Sequence, residues 1–406
     1  PVRLKIIPAD AADDSVTKEI TIVRDEVNLK DKLANAELIE ITDPEGASKR
    51  IGWINLYSFY ADMETGTTSC SKDVRRLLDR LIAENVDGIV VDLRGNGGGS
   101  LDEAIKMTGL FINQGPVVQA KDSKGRITHR SSRNRWAIYD GPLVVLVDRI
   151  SASASEIFAA ALQDYGRAIV VGDKSTFGKG TVQTVMPVAQ FMPIIFPRKT
   201  KERAGALKAT IQKFYRIAGG ATQLKGVEPD IVLPSYNDEL DTGEASLPNA
   251  LEYDTIRKLD YDEHENALPI AELMESSKAR VKNAPEFQYI LEDNARFKEL
   301  NDRNEVSLNL KTRLEESEAE KVRRKERNMK RRERFEQIEG AEKGRYEVTR
   351  INLDNVDRDA IPTADNFKEE EDKTMIRAKD KGEELAEKAA PSAKASILAV
   401  GVSNWC

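Results

Sequence analysis

Cysteine and histidine are nearly absent from this chain, with two of each in 406 residues. Cys70 and Cys406 have no metal-ligand spacing and cannot build a disulfide framework, so neither a metal site nor a redox compartment can be read from them. His129 lies in the polar run Lys124–Arg130, and His264 in the acidic run Asp262–Glu265. Neither has the apolar, pocket-like context of a catalytic imidazole, and both read as surface residues. No stretch of about 18 apolar residues occurs, so no helix is expected to span a membrane. A basic excess is missing too. The net charge of −7 does not suggest a nucleic-acid partner. The chain opens at Pro1 without a charged-then-apolar leader and is expected to be a fragment, so the lack of a signal peptide says nothing about compartment.

Hydrophobic residues make up 40% and charged residues 32%, enough for a sizeable core and, at this length, for several domains. Pro142 to Arg149 is an apolar run of strand length. Ser151-Ala152-Ser153-Ala154-Ser155-Glu156 follows almost at once, and Ile157, Phe158, Ala161 and Leu162 then recur at helical spacing. A strand therefore ends, and a helix begins, at a serine flanked by two alanines. Unpaired N–H groups and the helix dipole favour developing negative charge at that point. A second strand, Ala168 to Gly172, leads into Thr176-Phe177-Gly178-Lys179-Gly180-Thr181, a glycine loop that holds one lysine close to backbone. A hydroxyl nucleophile needs a base. With both histidines unpromising, a Ser–Lys dyad using Lys179 is the better reading. Lysine acts as a base near neutral pH only where burial lowers its pKa to roughly 7–8 from about 10.4. A nucleotide loop fits poorly: Gly172 precedes Gly178 by one residue too many, and Gly180 stands where a magnesium-binding hydroxyl belongs.

SASASEIFAAALQDYGRAIVVG followed by STFGKGTVQ resembles the tail-specific proteases, the carboxyl-terminal processing peptidases of the S41 class. GIVVDLRGNGGGSLDEA, GPLVVLVDR and TIQKFYRIAGGATQLKGVEPDIVLP extend the likeness over roughly Pro1 to Leu310. The resemblance implies Ser153 as nucleophile, Lys179 as general base and Gln183 as the support of the lysine, and it places weight on Glu156, Asp164 and Thr176. It implies an α/β core similar to the crotonase and ClpP-type spiral of ββα units, a PDZ domain just upstream and a helical accessory domain downstream. The implied activity is serine endopeptidase action on proteins selected by their C-termini, without metal or organic cofactor. An adaptor lipoprotein is a candidate partner, and the implied compartment is the bacterial periplasm. Residues 186–209 depart most from the family pattern; their apolar patch at Phe191, Met192, Ile194, Ile195 and Phe196 suits either a substrate groove or a covered insertion.

In chain order, residues 1–26 read as two alternating strands, either the end of a PDZ domain or a hairpin of the core. Residues 27–235 read as the peptidase core, with strands at 51–56 and 88–93 and helices at 71–85 and 101–112. The run Gly95-Asn96-Gly97-Gly98-Gly99 is either a tight turn needing positive φ or an oxyanion hole. The oxyanion reading favours Gly97, Gly98 and Gly99 with the Ala154 amide as second donor, and the sequence does not choose among the glycines. Residues 236–265 read as an acidic linker and 266–390 as a charged helical domain, in which 315–345 interleave both signs and suit a solvated helix. Residues 368–388 are polar enough to read as disordered, and 391–406 form an unassigned tail. Two other functions fit the same fold class: a catalytically inactive peptide-binding module and an acyl-CoA enzyme of crotonase type.

Overall fold

A computed structural model describes residues 2–8, 15–23, 32–42, 46–62, 67–192, 203–265, 267–303, 305–342 and 346–358. The polar stretch 368–388, the tail 391–406 and the larger part of the apolar patch (193–200) lie outside the described residues. The chain divides into two units, 1–33 and 34–406. In the first, Val2–Ile6 (β1) and Lys18–Ile22 (β2) pair antiparallel, with Val2 opposite Ile22.

The second unit contains, in order, β3 (Asn35–Thr42), β4 (Ser48–Asn55), α1 (Cys70–Ala83), β5 (Gly88–Asp92), α2 (Leu101–Thr108), β6 (Gly115–Asp122), β7 (Ile127–Ser132), β8 (Leu143–Val147), α3 (Ala154–Asp164), β9 (Ile169–Gly172), β10 (Thr181–Pro187), β11 (Ala206–Tyr215), β12 (Ile231–Val232), α4 (Ile270–Asn283), α5 (Pro285–Arg303), α6 (Leu310–Glu342) and β13 (Tyr346–Ile351). This is the expected mixed α/β architecture. A seven-stranded sheet runs β12-β9-β8-β5-β4-β3-β13. Its strands are parallel from β4 to β12 and antiparallel where β3 meets β4 and β13. β5 is buried throughout, which explains its unbroken apolar sequence: a central parallel strand is covered on both faces. Val74, Leu77, Leu78 and Leu81 of α1 recur on one helical face and pack with Phe111, Phe158 and Val145 into the main core. On the other face Trp53 packs with Ile39, Ile51, Val90 and Leu146. A second, antiparallel sheet runs β10-β11-β6-β7.

One part differs from the reading of the sequence. The charged C-terminal region is not purely helical. β13 pairs with β3, with Tyr346 opposite Ile41 and Ile351 opposite Ala36, and Ile351 and Val356 are buried in the main core. Residues 346–351 therefore complete the seven-stranded sheet. The stretch read as an acidic linker is tied to the core: Asn237 Nδ2 donates to Asp173 Oδ2 (3.0 Å), and Arg149 Nε donates to the Thr242 carbonyl (2.7 Å). α5 and α6 are joined by Arg327, Arg331 and Arg334, which stack over Tyr289 and pair with Glu292, Asp293 and Glu286. Among the described residues no helix is long and apolar enough to cross a membrane.

Candidate active site

β8 delivers the chain to a turn built on one carboxylate. Asp148 Oδ1 accepts the N–H groups of Ile150 (3.0 Å) and Ser151 (2.9 Å), and its Oδ2 accepts the Gly95 N–H (2.9 Å). The serine cluster and the glycine run are thereby brought together. Ser153 follows at the N-cap of α3 with φ of 58°, in the left-handed region that non-glycine residues rarely adopt. The three serines are not equivalent. Ser151 is buried and donates its hydroxyl to the Leu93 carbonyl (2.8 Å); Ser155 is buried and donates to the Asn96 carbonyl (2.9 Å). Ser153 alone of the three is partly exposed.

The glycine run packs against it. Ala152 N–H donates to the Asn96 carbonyl (3.1 Å). Gly98 has φ of +100°, and a Cβ there would lie 2.6 Å from the Ala152 carbonyl oxygen, 2.9 Å from Ser153 Cβ and 3.0 Å from the Ala154 nitrogen. Only glycine fits so close to the serine. The Gly98 N–H itself donates to Asn96 Oδ1 (2.9 Å), whose amide is fixed in turn by donating Nδ2 to the Leu56 carbonyl (2.8 Å). Among the described residues the amides of Gly97, Gly99 and Ala154 have no hydrogen-bond acceptor.

Glu156 ties the serine to the lysine loop. It is wholly buried one turn into α3. Its Oε2 accepts the backbone N–H of Ser153 (2.6 Å) and of Lys179 (3.0 Å); its Oε1 accepts the Thr176 hydroxyl (2.7 Å) and the Gly178 N–H (2.7 Å). Burial pushes its carboxyl up to about 7, against the downward pull of those four donors. Thr176 is also buried; its Oγ1 accepts the Val227 N–H (2.8 Å). Phe177 N–H donates to the Ser151 carbonyl (3.0 Å), a direct link between the two loops.

Ser153, Glu156, Thr176, Lys179, Gly97, Gly98, Gly99 and Ala154 thus share one region, where α3 begins. The Ser153 hydroxyl and the Lys179 ammonium are not hydrogen-bonded to each other. Gln183 is exposed on β10, at a register shift, and makes no hydrogen bond to Lys179. Asp164 closes α3 at its other end, about 16 Å along the helix from Ser153 at 1.5 Å per residue. There it binds the Arg216 guanidinium (Nε at 3.0 Å) and steadies the turn after β11. His264 caps that same distal end, its N–H on the Tyr165 carbonyl (2.8 Å), and its ring meets Asp140. His129 is exposed on β7. The sequence reading missed Asp148, Gln223 and Glu244, and saw Asn96 only as part of a glycine run.

Residues 50–233 match the family model for peptidase family S41, and residues 237–396 match that for the C-terminal domain of tail specific protease. The chain is similar to the tail-specific protease of Haemophilus influenzae, 40% identical over 329 residues that cover 80% of this chain and 44% of that protein. It is also similar to the carboxy-terminal-processing protease of Bartonella bacilliformis, 35% identical over 184 residues, 45% of this chain and 38% of that one. Among solved structures, a photosystem II D1 C-terminal processing protease matches at 25% identity and a TM-score of 0.41, covering 57% of this chain and 55% of that one. The chain spans less than half the length of these curated relatives.

Proposed function

From the premise that the chain belongs to peptidase family S41 and carries the C-terminal domain of tail-specific proteases, we propose that it is a serine endopeptidase in which Ser153 is the nucleophile and Lys179 the base. The observation that carries this reading is the shared acceptor: one oxygen of Glu156 receives the backbone N–H of both residues. Ser153 Oγ attacks the scissile carbonyl carbon as Lys179 Nζ takes its proton. The tetrahedral oxyanion accepts the free N–H of Ala154 and that of Gly97 or Gly99. Lys179 returns the proton to the leaving amine, an acyl ester on Ser153 remains, and water activated by Lys179 hydrolyses it. Catalytic hydrogen bonds are often long before substrate binds, so the open Ser153–Lys179 pair is compatible with this chemistry. Gln183 belongs to the mechanism only if its strand moves to meet Lys179 when substrate binds.

The substrates in this reading are proteins chosen by their C-termini, through a PDZ domain of which the β1–β2 hairpin is the last part. The bacterial periplasm is the compartment, and an adaptor lipoprotein a candidate partner. The test is labelling by a serine-reactive fluorophosphonate together with cleavage of an unstructured protein. Wild type is expected to label at one residue and to cleave; Ser153→Ala is expected to do neither. A folded wild type that neither labels nor cleaves would instead be a non-catalytic peptide-binding module.

A further inference from the structure

The Lys179 loop is held from two sides. Glu156 holds its inner side. On the outer side the Gly180 N–H donates to Gln223 Oε1 (2.8 Å), and Gln223 is itself fully buried. Gln223 Nε2 donates to Glu244 Oε1 (3.0 Å). Glu244 is buried too, and its backbone N–H donates to the Phe177 carbonyl (2.9 Å). The pair therefore encloses the loop from Phe177 to Gly180. Space is short throughout: a Cβ on Gly180 would lie 2.6 Å from the Gln223 nitrogen, and one on Gly243 would lie 2.6 Å from Arg149 Nη2. The Arg149 guanidinium ties the same two segments together, with Nη1 donating to the Thr176 carbonyl and Nε to that of Thr242, both at 2.7 Å.

We infer that Glu244 is a positioning residue for Lys179, acting through Gln223, so that the C-terminal domain supplies a working part of the active site. The chemistry is that of a buried amide with no freedom to turn. Gln223 presents Oε1 to Gly180, so its Nε2 must donate, and among the described residues its one acceptor is Glu244. Remove that acceptor and a buried N–H is left unpaired. The amide then turns or shifts, the Gly180 N–H loses its partner, and the residue next to Lys179 is free to move. A displacement of about 1 Å at a catalytic group costs roughly 10²-fold in rate. The peptidase match ends at 233 and the C-terminal match begins at 237, so Glu244 lies in the second and the loop it steadies in the first. This inference rests on the Ser153–Lys179 reading above.

The experiment uses the full chain, an unstructured fluorogenic protein substrate, and kcat, KM and the fluorophosphonate labelling rate, each with a Tm. Glu244→Ala is expected to lower kcat by at least ~10-fold with KM within about 2-fold of wild type. Its fluorophosphonate labelling is expected to slow in step with kcat, because Ser153 loses a well-placed base. Glu244→Gln keeps an acceptor oxygen and is expected to recover most of kcat. Gln223→Glu sets two carboxylates together and is expected to be as slow as Glu244→Ala; adding Glu244→Gln reverses the donor and acceptor and is expected to restore it. That swap keeps the inference testable if Glu244→Ala fails to fold. Wild-type kcat in folded Glu244→Ala would overturn it, as would loss confined to the unfolded fraction with an unchanged labelling rate, or a swap that does not rescue. Ser153→Ala and Lys179→Ala run beside these variants. If both cleave normally, the catalytic reading itself falls; if both are dead while Glu244→Ala is normal, only the present inference falls.

Discussion

Ser153 donates its backbone N–H to Glu156 at 2.6 Å, and the carboxylate that receives it is sealed from solvent. The same carboxylate accepts three further donors, so its charge state governs the geometry of both loops. Burial holds the folded pKa at about 7, above the ordinary ~4.3 of an exposed glutamate. With the folded pKa raised, Glu156 contributes stability in full below the ordinary value, and that contribution is lost as pH rises through about 7. Activity runs the other way. The ionised form accepts all four donors, whereas a proton on Oε2 meets only the N–H groups of Ser153 and Lys179, and one on Oε1 meets the Gly178 N–H or must reverse the Thr176 hydroxyl. Between about pH 8 and pH 5, acidification is expected to strengthen the Glu156 contribution to stability while slowing cleavage. Urea unfolding of wild type and Glu156→Gln across that range, beside kcat/KM, measures both. A wild-type-minus-variant stability difference that stays flat with pH would rule out titration of Glu156 there.

The serine cluster separates by partner. Ser151→Ala takes from the buried Leu93 carbonyl one of its two donors, leaving it the Asn96 N–H, removes the Oγ that accepts the Asp148 N–H, and is expected to cost about 1–3 kcal/mol of stability. It should keep appreciable activity, because that hydroxyl points into the scaffold. Ser153→Ala is expected to abolish cleavage and leave the fold intact. Ser153→Gly is equally inactive but relieves the left-handed backbone at φ of 58°, and should unfold about 1 kcal/mol later than Ser153→Ala. Paired denaturation curves decide this. An alanine variant as stable as the glycine one would show that the backbone at 153 stores no strain.

The strands and helix that carry Ser153 were legible because their signals are local. Leu143–Val147 is one apolar run, and Ile157, Phe158, Ala161 and Leu162 recur at helical spacing in α3, which is buried without a break from Ala154 to Leu162. β13 was not legible, because Tyr346–Ile351 is a short strand beyond a long charged helix and its partner, β3, lies some three hundred residues earlier. Motif resemblance singled out Ser153, Glu156, Thr176 and Lys179, and all four lie where α3 and the lysine loop meet. It gave no position for Asp164, which the helix carries to its distal end. Gln223 and Glu244 had no signal at all: a buried amide and a linker carboxylate become a pair only when the chain folds back.

The C-terminal strap should be needed for the stability of the peptidase sheet. Ile351 and Val356 are buried in the main core, and Arg76 and Arg80 of α1 hold the strap by Asp357 and by the carbonyls of Val356 and Arg358. Ile351→Ala is expected to cost about 2–4 kcal/mol. Ending the chain after residue 345 uncovers the edge of β3 as well, and should lower the unfolding midpoint further and promote aggregation. Urea denaturation and light scattering measure the two effects. A truncated chain with the wild-type midpoint would show that the strap is dispensable.

The glycine run offers the last test, because its three candidate donors differ in surroundings. The Gly98 N–H already serves Asn96 Oδ1 and cannot also meet an oxyanion without releasing it. Its role is spatial. At φ of +100°, a Cβ would press on the Ala152 carbonyl and on Ser153 itself, so Gly98→Ala is expected to lose at least ~10²-fold in kcat and to be less stable. Gly97 has nothing within 4 Å of a built Cβ and no positive φ, so Gly97→Ala keeps its N–H and should fold as wild type. If Gly97 is the second donor beside Ala154, its alanine variant retains kcat on a short substrate and is slowed only where the methyl meets bulky substrate side chains. The comparison is kcat for Gly97→Ala and Gly98→Ala on one short fluorogenic peptide, with Tm recorded for each. Full activity in Gly98→Ala would mean that the space beside Ser153 plays no part in catalysis. The oxyanion would then have to be bound away from the glycine run.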